Sequence, residues 1–177
     1  MQRFDCSCRN ASAIYYYEKV STAILSHIPD ASIEIENYSI CRKDRNSNGD
    51  GILCYIRSQF RCKVISSNDA PALLSCCTEI LTIFIDSTLS ACIYHPFLNN
   101  PSNVEEAICS IAGIVHSFLL SSRINPKKIQ IVLCGDFNDI RKQYNRLCAT
   151  TGLTACVDLP SRGSHLLDQI FVNAKHP

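Results

Sequence analysis

Between Lys127 and Asp139 the chain reads KKIQIVLCGDFND, and no other stretch restricts the fold as much. Ile129, Ile131, Val132, Leu133 and Cys134 form an apolar run of strand length that Gly135 punctuates. Such a run predicts a buried central strand ending at Gly135, where the chain leaves the sheet. Asp136, Asn138 and Asp139 follow, so a carboxylate and an amide two residues apart stand at the carboxyl end of that strand, an edge where ligands bind. An Asp and an Asn at this spacing can orient a water, take its proton, and hold a phosphoryl oxygen or a hard divalent cation. The same residues equally suit an Asx turn after a strand.

At 177 residues the chain has the size of one domain with a sizeable core. Its 17 basic and 16 acidic residues leave a net charge of +1, so no global field draws it to nucleic acid or anionic lipid, and any such contact has to be local. The apolar stretch Ile111 to Leu120 is broken by His116 and Ser117 and is too short to span a bilayer, and MQRFDCSCRN lacks the apolar core of a signal peptide. The expectation is an intracellular monomer, nuclear or cytoplasmic, neither secreted nor membrane-bound. Twelve cysteines would suggest disulfides in a secreted mini-protein. Here Cys54, Cys92 and Cys134 sit in apolar strand-like runs and Cys109 on the apolar stripe of a helix, where a free thiol packs as a small hydrophobe. Cys6 with Cys8 and Cys76 with Cys77 lack the two-residue gap usual in zinc sites. The sequons at Asn10 and Asn37 carry no meaning without secretion.

Along the chain, residues 1 to 20 show no clear period. After SHIPD, Ile33 and Ile35 alternate as in a half-buried strand, and the polar loop RKDRNSNGD leads into a second strand, GILCYIR. Asp44, Asn46, Asn48 and Gly49 match the first half of a calcium loop, but Tyr55 stands where a bidentate Glu is needed, so a hairpin turn is the better account. Phe60 to Ile65 reads as a returning strand, with further strands in Leu73 to Ile85 and Ser90 to Tyr94. Pro96 forces an exit from the sheet after Tyr94 and His95, and a lone His there is more often a solvated or structural residue than a catalytic one. Val104, Ala107, Ile108, Ile111, Ile114, Val115 and Phe118 recur at helical steps, predicting a helix over Ser102 to Ser122 with Ser102 and Glu105 as a capping box. IRKQYNRLCATTGL reads as a short helix, and DLPSRGSHLLDQIFVN as a turn and a last strand.

Four stretches in this order resemble the endonuclease/exonuclease/phosphatase superfamily, in particular the apurinic-endonuclease-like domain of non-LTR retrotransposons. They are SHIPD with IENYSICRKDRNSNGDGILCYIRS, then ACIYHPF, IVLCGDFND and LPSRGSHLLDQIFVN. The resemblance implies an α/β fold, a four-layer α-β-β-α sandwich of two mixed sheets, here a single domain over 1–177 that lacks the family's first and last strands. It implies a divalent-metal-dependent phosphodiester hydrolase that nicks DNA, uses Mg2+ or Mn2+, and was once fused to a reverse transcriptase. By motif, Asp136 positions the attacking water and holds metal, Asn138 binds phosphate, Tyr94 touches the scissile group and Asp168 orients a histidine. Arg42, Lys43, Arg45 and Arg162 are the expected substrate contacts, with Arg141 and Lys142 further local cations.

The departures are specific. The family's metal-binding Glu falls at Thr22, a hydroxyl that is a poor substitute on magnesium, with Glu18 and Glu34 as distant candidates to replace it. The strand bearing the catalytic histidine has no counterpart, since His176 comes too soon after Asp168. The expectation is therefore weak or absent cleavage. Two other functions share these residues: a catalytically dead relic or nucleic-acid-binding module, and a phosphatase acting on a small phosphorylated substrate.

Overall fold

Among the described residues, backbone hydrogen bonds form two sheets and two α-helices. The computed structural model describes residues 14–20, 28–44, 51–65, 78–96, 100–121, 129–160 and 167–173, with the main chain alone at 14–20, 121, 139, 141 and 142. The fold is α/β, as expected, and divides into two compact units, Met1–Val64 and Ile65–Pro177.

In the first unit, β1 (Ile14–Val20), β2 (Tyr38–Lys43) and β3 (Gly51–Arg57) form an antiparallel sheet in the order β1-β3-β2. Lys43 faces Ile52 across the β2–β3 pair, so strands flank the polar loop, as a hairpin requires, and residues 45–50 lie outside the described residues. The half-buried strand expected at Ile33 and Ile35 does not form. Pro29 opens a 3-10 turn at Asp30–Ser32, the Tyr38 N–H then closes a second turn on Ile35 O at 3.0 Å, and Asn37 takes φ 66°. Consecutive turns leave no ladder for Ile35, which is 39% exposed.

The second sheet runs β4-β5-β6-β7-β9-β8, from β4 (Cys62–Ile65), β5 (Glu79–Ile85), β6 (Thr88–Tyr94), β7 (Gln130–Asp136), β8 (Thr154–Ala155) and β9 (Asp168–Val172). It is mixed: β6 and β7 are parallel, and the pairs β5–β6, β7–β9 and β8–β9 are antiparallel. The strand at Cys62–Ile65 is an edge of this sheet and does not return along β3. β5 and β6 form a hairpin whose Ile85 and Thr88 face each other, with Asp86 at φ 51° in the turn.

Parallel strands need a crossover, and α1 (Pro101–Ser121) supplies it. Its buried stripe, Val104, Ala107, Ile108, Ile111, Ile114 and Val115, joins Ile80, Leu89, Ala91, Ile93, Ile131 and Leu133 in one core with Phe137, Leu147 and Phe171. By length and composition α1 could cross a membrane, contrary to the sequence expectation, yet this stripe lies in the core. The cap also differs. Asn100 Oδ1 accepts the Ser102 N–H at 3.0 Å, which puts Pro101 at the first helical position, where its missing N–H costs nothing. Glu105, expected in a capping box with Ser102, instead forms a two-pronged ion pair with Arg146 on α2 (Tyr144–Thr151). Cys109 is exposed, pointing off the buried stripe.

Candidate functional site

The expected end of the central strand at Gly135 is overrun by one residue, because β7 continues through Asp136. Gly135 has φ 144°, and a Cβ there would meet the Ile93 carbonyl oxygen at 1.9 Å. Only glycine lets β6 and β7 approach this closely while the chain turns toward Asn138. The motif's glycine is therefore the reason Asp136 keeps a place in the ladder.

Register then assembles a row. Glu79 on β5 faces Tyr94 on β6, Tyr94 faces Asp136 on β7, and Asp136 faces Asp168 on β9. Residues in register project to one side of a sheet, and adjacent strands lie about 4.8 Å apart. Ile80 and Ile93, the neighbours of Glu79 and Tyr94, belong to the core with α1, so the row occupies the opposite face. Glu79 is buried, and Tyr94, Asp136 and Asp168 are half-buried. Sequence reasoning named the last three and missed Glu79, whose signal was present: once the hairpin turn is set at Asp86 and Ser87, the register counts back to pair Glu79 with Tyr94.

Beyond the row, Asp136 Oδ1 accepts the Asn138 N–H at 3.1 Å, which is the Asx turn that the local pattern also allowed. Asn138 holds φ 41°, and its Nδ2 donates to the His95 carbonyl at 2.6 Å. The His95 N–H donates to the Asp136 carbonyl at 2.9 Å, and Phe137 N–H to Leu167 O at 2.8 Å. The Asp136 carboxylate is thus tied to the Asn138 main chain, the Asn138 carboxamide to the end of β6, and the chain between them to the residue before β9. His95 itself is fully buried, with Nδ1 at 2.7 Å from Thr78 Oγ1. Its burial overturns the solvated alternative expected for a histidine at a strand end.

One step down the same face, Cys92 and Cys134 are in register with their sulfurs 3.9 Å apart. The shared hydrogen bond with Cys92, and burial, hold the Cys134 thiol well above the usual range. Gln169, next to Asp168, is 1% exposed and takes the N–H groups of Cys156 and Val157 at 3.2 and 2.7 Å while donating to Val157 O at 2.9 Å. It ties the chain after β8 to β9.

The remaining predicted residues divide. Arg42 contacts Asp30 at 2.9 Å, Asp44 at 3.1 Å and the Ile28 carbonyl at 2.8 Å, so two carboxylates already face its guanidinium. Lys43 and Glu34 are exposed, and Glu18 is placed in β1 opposite Leu53. Thr22, Arg45 and Arg162 lie outside the described residues, as do the side chains of Arg141 and Lys142. Among the described residues no group of three or more His, Cys, Asp or Glu is arranged to hold a metal ion.

No known family model matches the chain, and no curated protein does. Solved structures similar to it include D. rerio TDP2 complexed with a single-strand DNA product, at TM-score 0.48 and 9% identity over 89% of this chain and 70% of that one. Another is humanized D. rerio TDP2 carrying 14 mutations, at TM-score 0.47 and 9% identity over 90% of this chain and 67% of that one.

Proposed function

We propose that the chain is a metal-dependent phosphodiester hydrolase of the retrotransposon endonuclease type, acting on DNA and weak in cleavage. The observation that supports this best is the register row Tyr94, Asp136 and Asp168, with Asn138 bonded to Asp136 beside it. Phosphoryl transfer is mostly positioning and charge stabilisation, and that is what a hydrogen-bonded carboxylate and carboxamide, with a tyrosine in register beside them, provide at one sheet edge.

The donor set suits Mg2+ or Mn2+. The row offers oxygen only, and a hard cation is commonly held by one or two carboxylates, with water and substrate oxygens completing its shell. Asp136 would hold the ion, which when bound lowers the pKa of a coordinated water and offsets phosphate charge. Asp136 also takes the proton of the attacking water. Asn138 has one Nδ2 hydrogen on His95 O and a second available to a phosphoryl oxygen. Tyr94 stands across from Asp136, and by the resemblance it would touch the scissile group. Weak cleavage follows from Thr22 at the position where the resemblance puts the family's metal-binding carboxylate, because a hydroxyl is a poor substitute on magnesium.

A plasmid-nicking assay with Mg2+ or Mn2+, run beside Asp136→Ala and with EDTA, tests this. The expected result is slow nicking that EDTA and Asp136→Ala both abolish. Equal background in all three removes the catalytic assignment and leaves a binding module. One observation favours a second substrate class: Arg42 already faces Asp30 and Asp44, which diminishes the loop's attraction for a polyanion. A small phosphorylated substrate hydrolysed faster than DNA, again only with Asp136 intact, is the outcome that reading requires.

A further inference from the structure

Both main-chain polar groups of His95, just past the end of β6, hold the Asp136–Asn138 pair. Pro96 has no N–H, so the His95 N–H is the last main-chain donor that β6 can offer to β7. The N–H donates to Asp136 O at 2.9 Å, and the C=O accepts from Asn138 Nδ2 at 2.6 Å. A lateral shift of residue 95 therefore carries the Asn138 carboxamide with it. Asn138 is a non-glycine residue at φ 41°, a conformation kept by its two bonds, the other running from its N–H to Asp136 Oδ1 at 3.1 Å.

What stops residue 95 from shifting is its ring. The imidazole is fully buried, and Nδ1 lies 2.7 Å from the hydroxyl of Thr78, itself 6% exposed and one residue before β5. Glu79 and Tyr94 are the last residues of the β5–β6 register at this end, so Thr78 and His95 continue the pairing by side chains past the point where the ladder stops. An apolar side chain could fill the volume, but it would strand the Thr78 hydroxyl and fix no orientation.

We propose that His95 is a positioning residue for the reacting pair: Thr78 locks its imidazole, and its carbonyl sets the Asn138 carboxamide where a phosphoryl oxygen is bound. The proposal rests on the assignment of Asp136 and Asn138 to catalysis, and it concerns a step that can be read without turnover.

The experiment uses the full chain labelled with 15N, and follows the Asn138 side-chain NH2 resonances, assigned by their loss in Asn138→Asp. Thr78→Val keeps shape and removes the hydroxyl. It should move the Asn138 NH2 pair while the amides of α1 stay in place, and Thr78→Ser should restore it. In parallel, hydrolysis of bis(p-nitrophenyl) phosphate with Mn2+ should lose about 10–100-fold in kcat in Thr78→Val, with KM within about threefold and recovery in Thr78→Ser, because misplacement of about 1 Å costs on that order. His95→Asn, whose amide can occupy the Nδ1 position, should lie between wild type and His95→Leu. Unshifted Asn138 resonances in folded Thr78→Val overturn the proposal. So does a loss that Thr78→Ser does not recover. Should the wild-type chain show no hydrolysis at all, the catalytic assignment fails by that result alone, and the Asn138 resonances still decide whether His95 positions the carboxamide.

Discussion

Single residues here act through what they leave room for as much as through what they touch. Gly135 is the sharpest instance, since the Ile93 carbonyl occupies the space any Cβ would need. Gly135→Ala must either distort β7 or push β6 away, and at φ 144° the backbone strains as well. The expected cost is about 3 kcal/mol or more, measured by urea denaturation, with loss of any metal-dependent turnover in the folded fraction. A cost near 1 kcal/mol would mean that the two strands are not so close. Gln169 works in the opposite sense, as a polar core residue. One carboxamide replaces strand pairing for Val157 and shares the Cys156 N–H with the Ile170 carbonyl, where β8 is only two residues long. The glutamine of LDQIF is thereby explained by hydrogen-bond satisfaction, independently of chemistry at Asp168.

At the scale of elements, α1 turned out one residue longer at its start than its periodicity announced, and its cap lies outside the apolar pattern. Asn100 supplies the cap and Pro101 the first turn, and Glu105 is drawn to Arg146 on α2. Asn100→Ala should therefore destabilise the protein by about 1 kcal/mol, as lost N-caps do, and Ser102→Ala should stay within about 0.5 kcal/mol. Paired thermal melts check this, and the reverse order would restore the capping box at Ser102. The strand pattern was more legible. The apolar runs at Gly51–Arg57, Thr88–Tyr94 and Gln130–Asp136 all became strands, because runs so short and apolar have few other ways to be buried. Ile33 and Ile35 failed the same test because turn chemistry at Pro29 and Asn37 outweighed two alternating isoleucines.

For the whole molecule, the thiols give a measurable signature of the fold. Of the eight described cysteines, Cys62, Cys109 and Cys156 are exposed, and Cys41, Cys54 and Cys92 are buried. Burial, with the neighbouring Cys62, pushes the Cys41 thiol up to about 11. The three exposed thiols should react first with a thiol reagent near pH 8, and the three buried ones only on unfolding. Stability should respond to alkali with a definite sign. Above about pH 9 the unfolded chain sheds thiol protons that Cys41 and Cys134 retain in the fold, so stability falls as pH rises from 9 toward 11. Denaturant melts at pH 8 and 10.5 should show this fall, and Cys41→Ala should flatten it. Equal slopes in the two proteins would mean that the Cys41 thiol is not buried in solution.

What the sequence alone determined is what neighbouring residues decide among themselves. The turn chemistry of Gly135 to Asn138, the apolar strands, the helical stripe of α1 and the ordered motifs are local patterns, and each is set by periodicity and backbone preference over a few residues. Tertiary structure decided which of these patterns meet. Glu79 joins the row of Tyr94, Asp136 and Asp168 only because a hairpin and a parallel crossover set the register of four strands. His95 became a strut only because Thr78, 17 residues earlier, arrives beside its ring. Arg42, legible as a cation for substrate, is faced in the fold by Asp30 and Asp44. Such pairings depend on contacts distant in sequence, whose register carries no signal in either partner taken by itself.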